Sequence, residues 1–168
     1  SINNLKKYND NMTSFTKQKI LLYTDGACSK NPGPGGWGFV LIHEQRKRKC
    51  SGFESDTTNN KMELMAVIKG LNCLTRAFEV VVYTDSQYVM KGFTDGWIKK
   101  WMANHWKTST KEDVKNKELW MQLVELVAKH SVSWQWVKGH SGDIYNELCD
   151  ELARKAIVQK RGIDEYFI

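Results

Sequence analysis

Ile20-Leu21-Leu22-Tyr23-Thr24-Asp25-Gly26-Ala27-Cys28 is an apolar, aromatic and β-branched run, and Ser29-Lys30-Asn31-Pro32-Gly33-Pro34-Gly35-Gly36 follows it. An apolar run of this kind, closed by turn-forming residues, reads as a β-strand leading into a loop. Asp25 is the misfit. Asp is depleted in strands, and an unpaired buried carboxylate is costly. The phrase returns at Val80-Val81-Val82-Tyr83-Thr84-Asp85-Ser86. Two such strands side by side would bring two carboxylates close, and a divalent cation would relieve their repulsion. Asp25 and Asp85 are therefore the first candidates for a metal site.

Between the two phrases, Trp37-Gly38-Phe39-Val40-Leu41-Ile42 reads as a second strand and Lys49 to Glu54 as a third. Glu44 to Lys49 reads as a charged hairpin turn, with the basic run Arg46-Lys47-Arg48-Lys49 solvated in it. Short connections make the three strands an antiparallel meander. The Gly/Pro loop lacks the Lys-Ser/Thr ending of a P-loop, so nucleotide cradling is not expected. Asp56-Thr57-Thr58-Asn59-Asn60 offers caps for a helix to about Arg76. Glu63, Val67, Gly70, Leu71 and Leu74 share one face of it, so Glu63 heads an apolar stripe that points at the sheet. Its place near the helix N-terminus favours a carboxylate.

The strand Glu79 to Thr84 follows a helix and can lie parallel to the first by a right-handed crossover. Asp85 then sits at its carboxyl end, where α/β sheets gather their sites. Beyond Phe93, Trp97, Trp101 and Trp106 are interleaved with Lys99, Lys100, Lys107, Lys111, Lys115 and Lys117. Such a segment is either a small satellite core with a solvated Lys face or a protrusion that tracks a phosphate backbone. An amphipathic helix over Glu118 to Lys129, a fifth strand from Val132 to Lys138, the loop Gly139-His140-Ser141-Gly142 and a last helix from Glu147 to Gln159 complete the order. The expectation is a five-stranded mixed α/β sheet, strands 1–3 antiparallel and 4–5 parallel, flanked by helices. Residues 1–17 read as a flexible lead with Met12 a candidate start, 18–161 as one domain that holds the candidate site and 162–168 as a loose tail.

The totals bound the partners. The 168 residues carry 41% hydrophobic and 11% aromatic side chains, enough for one domain with its own core. A net charge of +6 and a pI near 9.1 fit a polyanion partner without requiring one. No apolar run approaches the roughly 20 residues of a membrane span, and no signal peptide is visible. A cytoplasmic protein without a membrane partner is expected. Cys28, Cys50, Cys73 and Cys149 form no close pair, which argues against a zinc site and for free thiols.

Six phrases, in order, resemble type 1 ribonuclease H of the bacterial ribonuclease HI kind. They are Thr24-Asp25-Gly26, Asn31-Pro32-Gly33-Pro34-Gly35-Gly36, Thr57 to Ala66, Thr84-Asp85-Ser86-Gln87-Tyr88-Val89, Trp134 to His140, and Asn146 to Ala153. The resemblance spans roughly Lys19 to Lys160 and implies the ribonuclease H-like fold. It implies a catalytic set of Asp25, Glu63, Asp85 and Asp150, all four as metal ligands. Asp150 by itself reads as an ordinary helix carboxylate, and only the resemblance promotes it. The implied activity is endonucleolytic hydrolysis of the RNA strand of an RNA/DNA hybrid, leaving 5′-phosphate and 3′-hydroxyl ends with little sequence preference. The implied cofactor is Mg²⁺, two ions about 4 Å apart, with Mn²⁺ as the alternative.

His140 carries an implied helper role in proton transfer or product release. Asn31, Asn59, Asn60 and Gln87 are implied contacts to the RNA through the minor groove, since the 2′-hydroxyl distinguishes RNA from DNA. Thr58 and Asn116 are implied holders of a DNA phosphate, and Trp97 an implied packing face for DNA sugars. The chain departs from the bacterial pattern after Trp101, where Met102-Ala103-Asn104-His105 replaces consecutive basic residues. Fewer phosphate contacts imply a shallower salt dependence. A monomer is expected. Two other readings stand beside this one: a DNA-acting nuclease or transposase of the same fold, and a hybrid-binding module without catalysis.

Overall fold

In the computed structural model of the chain, which describes residues 19–139 and 142–168, β1 (Ile20–Cys28) lies between two neighbours of opposite sense. β2 (Gly33–His43) is antiparallel to it, with Asp25 opposite Gly38. β4 (Glu79–Thr84) is parallel to it, with Tyr23 beside Tyr83. β3 (Arg46–Thr57) extends the meander, β5 (Ser131–Trp136) pairs parallel with β4, and β6 (Asp164–Phe167) pairs antiparallel with β3. The sheet order is β5-β4-β1-β2-β3-β6. The helices are α1 (Asn59–Asn72), α2 (Gln87–Thr94), α3 (Trp97–Ala103), α4 (Lys117–Ala128) and α5 (Ile144–Gln159).

Alternation along β1 feeds two cores. Leu22 joins Phe39, Leu64, Val67, Leu71, Val80, Val82, Trp120 and Leu123 on the face carrying α1 and α4. Tyr23 joins Val40, Ile42, Cys149 and Leu152 on the face carrying α5. Burial on both faces is why β1 reads as a nearly unbroken apolar run. Each fully buried Leu, Val or Phe contributes on the order of 1.5–3 kcal/mol relative to exposure.

Three expectations are corrected. The Gly/Pro segment is not wholly loop: β2 begins at Gly33, because glycines there let helices press on the strand backbone. A Cβ on Gly38 would lie 2.7 Å from the Cys149 carbonyl oxygen of α5. The basic run is not a solvated turn. The β2–β3 turn is only Glu44-Gln45, and Arg46 to Lys49 lies within β3. The tail is not loose at 164–167. It forms β6 as a sixth strand, where the Arg48 guanidinium donates to both Asp164 carboxylate oxygens (2.8 and 2.7 Å) and Lys49 pairs with Glu165 at 3.2 Å. The Arg48 guanidinium holds the Asp164 carboxyl down at about 2. The expected lead over residues 1–17 and His140 lie outside the described residues. Among the described residues, no helix is long and apolar enough to cross a membrane.

Candidate active site

The sheet places its carboxylates at one end. Asp25 is the sixth residue of β1 and is only 5% exposed. The parallel pairing of β1 and β4 carries Asp85, the residue after β4, to the same end. α1 crosses above β1 so closely that a Cβ on Gly26 would strike the Met62–Glu63 backbone. This contact lowers Glu63, 4% exposed, onto the strand. The Gly26 amide then donates to two carboxylates at once, to Asp25 Oδ1 at 2.9 Å and Glu63 Oε1 at 3.0 Å.

Asp25, Glu63 and Asp85 each offer a carboxylate oxygen, all within 4.8 Å of one another. Burial pushes the Asp25 carboxyl up to about 7, and the charge of Asp85 adds to that. Burial also drives Glu63 well above the ordinary carboxylate range, with the Asp25 charge as the next cause. Glu63 Oε2 is buried with no hydrogen-bond partner. Oxygen-only donors, crowded, partly desolvated and with one atom unsatisfied, fit a hard divalent cation.

Asp150, the seventh residue of α5, lines the same cleft of about 490 Å³ as the other three acids. It does not join the close triplet. Its Oδ2 accepts from Arg154 Nε at 2.9 Å, one helical turn on. Asp143 caps α5 by accepting from the Tyr145 and Asn146 amides, and so sets the turn on which Asp150 stands.

The residues implied for substrate contact form a rim. Asn59, Asn60 and Gln87 line the cleft with the acids. Asn31 stands beside them, its Oδ1 accepting from the Asn59 amide at 3.1 Å. Thr58 is the N-cap of α1, its hydroxyl accepting from the Lys61 amide at 3.3 Å. Asn116, at φ 60, precedes α4 without capping it, and its Nδ2 donates to the Tyr88 hydroxyl at 3.0 Å. Trp97 opens α3 and packs against Tyr88 at 6.1 Å and Trp101 at 6.0 Å. It lines a second groove with Lys100, Trp101, His105, Lys107 and Lys111. The Trp-rich segment is thus anchored as a satellite core, with Trp101 stacked edge-on against buried Trp120 at 5.3 Å, while its Lys side chains stay on the surface.

Sequence reasoning missed the amide of Gly26 and the hydroxyl of Tyr88. Gly26 follows Asp25 directly, and a glycine there was the visible sign of a close helix. Tyr88 follows Asp85 by three residues, but nothing local announces its partners, which are 28 and 32 residues away.

The RNase H family model matches residues 17–158. A ribonuclease H of Caldicellulosiruptor saccharolyticus is 51% identical over 144 residues, covering 86% of this chain and 99% of its own. A ribonuclease H of Francisella philomiragia is 52% identical over 152 residues, covering 90% and 99%. Among solved structures, LC9-RNase H1, a type 1 RNase H with the type 2 active-site motif, is 31% identical with a TM-score of 0.79, covering 88% of this chain and 78% of its own. With the family model matched over most of its length and relatives identical at half their positions, the chain belongs to the type 1 ribonuclease H family.

Proposed function

We propose that this chain, a metal-dependent endoribonuclease that hydrolyses the RNA strand of RNA/DNA hybrids, works with two Mg²⁺ ions held by Asp25, Glu63, Asp85 and Asp150. Glu63 and Asp85 would hold one ion, Asp150 the other, and Asp25 would serve both. Mn²⁺, with the same preference for oxygen ligands, is the alternative. When bound, two such ions activate water and stabilise the leaving 3′-oxygen of an in-line displacement. The observation that carries this reading is the triplet of carboxylates within 4.8 Å, two of them buried.

The chain's own part is positioning. The shared Gly26 amide fixes Asp25 and Glu63 before substrate arrives, so no reorganisation is needed at the reacting phosphate. Asn31, Asn59, Asn60 and Gln87 test the RNA strand for 2′-hydroxyls across the minor groove. Thr58 and Asn116 hold a phosphate of the DNA strand, and Trp97 packs against its sugars. No base edge is read, so cleavage follows hybrid shape more than sequence. His140 assists proton transfer or product release, and its loss slows the reaction without abolishing it. The enzyme acts as a monomer in the cytoplasm, and sedimentation at working concentration tests the first point.

The test is an end-labelled panel of RNA/DNA hybrid, RNA/RNA and DNA/DNA duplexes, with Mg²⁺ or EDTA, beside Asp85→Asn. Cleavage of hybrid RNA alone, with 5′-phosphate ends and abolished by both EDTA and the variant, is the expected result. Cleavage that persists undiminished in Asp85→Asn would remove the four-carboxylate mechanism.

A further inference from the structure

The hydroxyl of Tyr88 sits where three parts of the molecule meet. Trp120, fully buried in the main core, donates its indole N–H to that oxygen at 2.9 Å. Asn116 donates its side-chain amide to the same oxygen at 3.0 Å. The Tyr88 ring packs on Trp120 at 5.2 Å and Trp97 at 6.1 Å, and the residue lines the cleft that holds the four acids. A phenol oxygen has two lone pairs and one proton. Both lone pairs are taken, one by a donor that cannot move because it belongs to the core.

The backbone of Asn116 is held, its carbonyl accepting from the Trp120 amide at 3.0 Å. The residue sits in the left-handed region, and its side chain makes no cap to α4. Asn and Ser/Thr at such positions ordinarily satisfy the first helical amides. Here the side chain turns instead to Tyr88, which leaves its carbonyl oxygen and second amide proton to face other partners.

We propose that Tyr88 is a positioning residue for substrate binding: its hydroxyl, pinned by Trp120, orients the Asn116 side chain for a phosphate of the DNA strand. The inference rests on the reading of Asn116 as a DNA-phosphate contact. The rigid core is thereby carried, through one oxygen, to a surface side chain that must meet a flexible backbone. Preorganisation of this kind lowers the ordering cost of binding. It leaves chemistry at the scissile phosphate untouched, so the effect belongs in KM.

Tyr88→Phe is the test, because Phe keeps both ring contacts and removes only the shared acceptor. Steady-state cleavage of an RNA/DNA hybrid is measured for the native enzyme, Tyr88→Phe, Asn116→Ala and the double variant. The hybrids carry a methylphosphonate at each DNA phosphate in turn, and circular dichroism melting checks each fold. Tyr88→Phe is expected to raise KM about three- to tenfold with kcat within about twofold. The double variant should be no worse than Asn116→Ala alone. The one neutralised phosphate that penalises the native enzyme should penalise Tyr88→Phe much less. If Asn116→Ala raises KM and Tyr88→Phe does not, or the two effects multiply, the positioning role falls and the Asn116 reading survives. If Asn116→Ala leaves KM unchanged and no DNA phosphate is sensitive, the reading of Asn116 falls and takes this inference with it.

Discussion

Replacing Asp25 by Asn should make the metal-free protein more stable while removing its activity. The side chain keeps its shape, and its Oδ1 can still accept from the Gly26 amide that now serves Asp25 at 2.9 Å. What disappears is a charge within 4.8 Å of Glu63 and Asp85. At that separation and an effective dielectric near 20, each pair of full charges repels by about 3.5 kcal/mol. Burial, with the charge of Asp85 added to it, makes the folded chain keep a proton in the cluster, so Asp25 rises from 3.8 to about 7 and part of the repulsion is escaped. A net gain of about 2 kcal/mol remains for the variant above neutral pH, or about 4–8 °C in Tm for a chain of this size.

The pH dependence has a definite sign. A carboxyl raised in the fold binds a proton there that the unfolded chain has already lost. The metal-free native protein therefore loses stability as pH rises from the ordinary carboxylate range through about 7 on account of Asp25, and Glu63, raised by its own burial, adds to the loss. The Asn variant lacks the Asp25 part of that decline and keeps the part set by the burial of Glu63, so its advantage is larger at pH 8 than at pH 5 and vanishes toward pH 4. Calorimetry of both proteins in EDTA at pH 5 and pH 8, then with Mg²⁺ added, measures this. Mg²⁺ should raise the native Tm by mass action and the variant's by less. A variant no more stable than native at pH 8 in EDTA, or a gain equal at both pH values, would refute the electrostatic reasoning.

Two smaller perturbations probe the frame around the site. Gly38→Ala places a methyl 2.7 Å from the Cys149 carbonyl and 2.8 Å from Leu152 Cβ, so α5 must lift; the expected loss is about 1–3 kcal/mol, read by urea unfolding, and an unchanged midpoint would show slack between helix and sheet. Asp164→Asn weakens the Arg48 clamp on β6, and because the carboxyl is half-exposed the cost is no more than about 1 kcal/mol. Its native contribution is present above the usual carboxylate range and lost as pH falls from 3.8 toward about 2, so amide exchange at residues 164–167 should quicken in that window in the native chain and not in the variant.

How legible the site was depended on whether a residue's oddity was local. Asp25 and Asp85 stood out because acids rarely close apolar strands, and Glu63 because it headed an apolar helical stripe. Asp150 had no such contrast: a carboxylate on a helix with Arg154 one turn away is what any surface helix shows, and that pair is present here. Only likeness to a family singled it out. The errors in the fold share one cause. The glycines of β2 read as a turn because their freedom is a local property, while their use is to admit α5, which is more than 100 residues away in the chain. The run Arg46 to Lys49 read as solvated because its partners, Asp164 and Glu165, are equally distant. Charge complementarity between the two segments was visible in principle, but no periodicity links them.

The pairing of Gly38 with Asp25 across β1 and β2 has a metric consequence. The helix presses on Gly38 through Cys149, the residue next to Asp150. The span between the strand acid and the helix acid is therefore gauged by an atom that is missing, the Cβ of residue 38. A side chain there would act as a spacer between two layers and widen the gap between carboxylates without altering any of them. On the proposed reading of the four acids as metal ligands, room for a larger cation would be made at this silent contact and not among the acids.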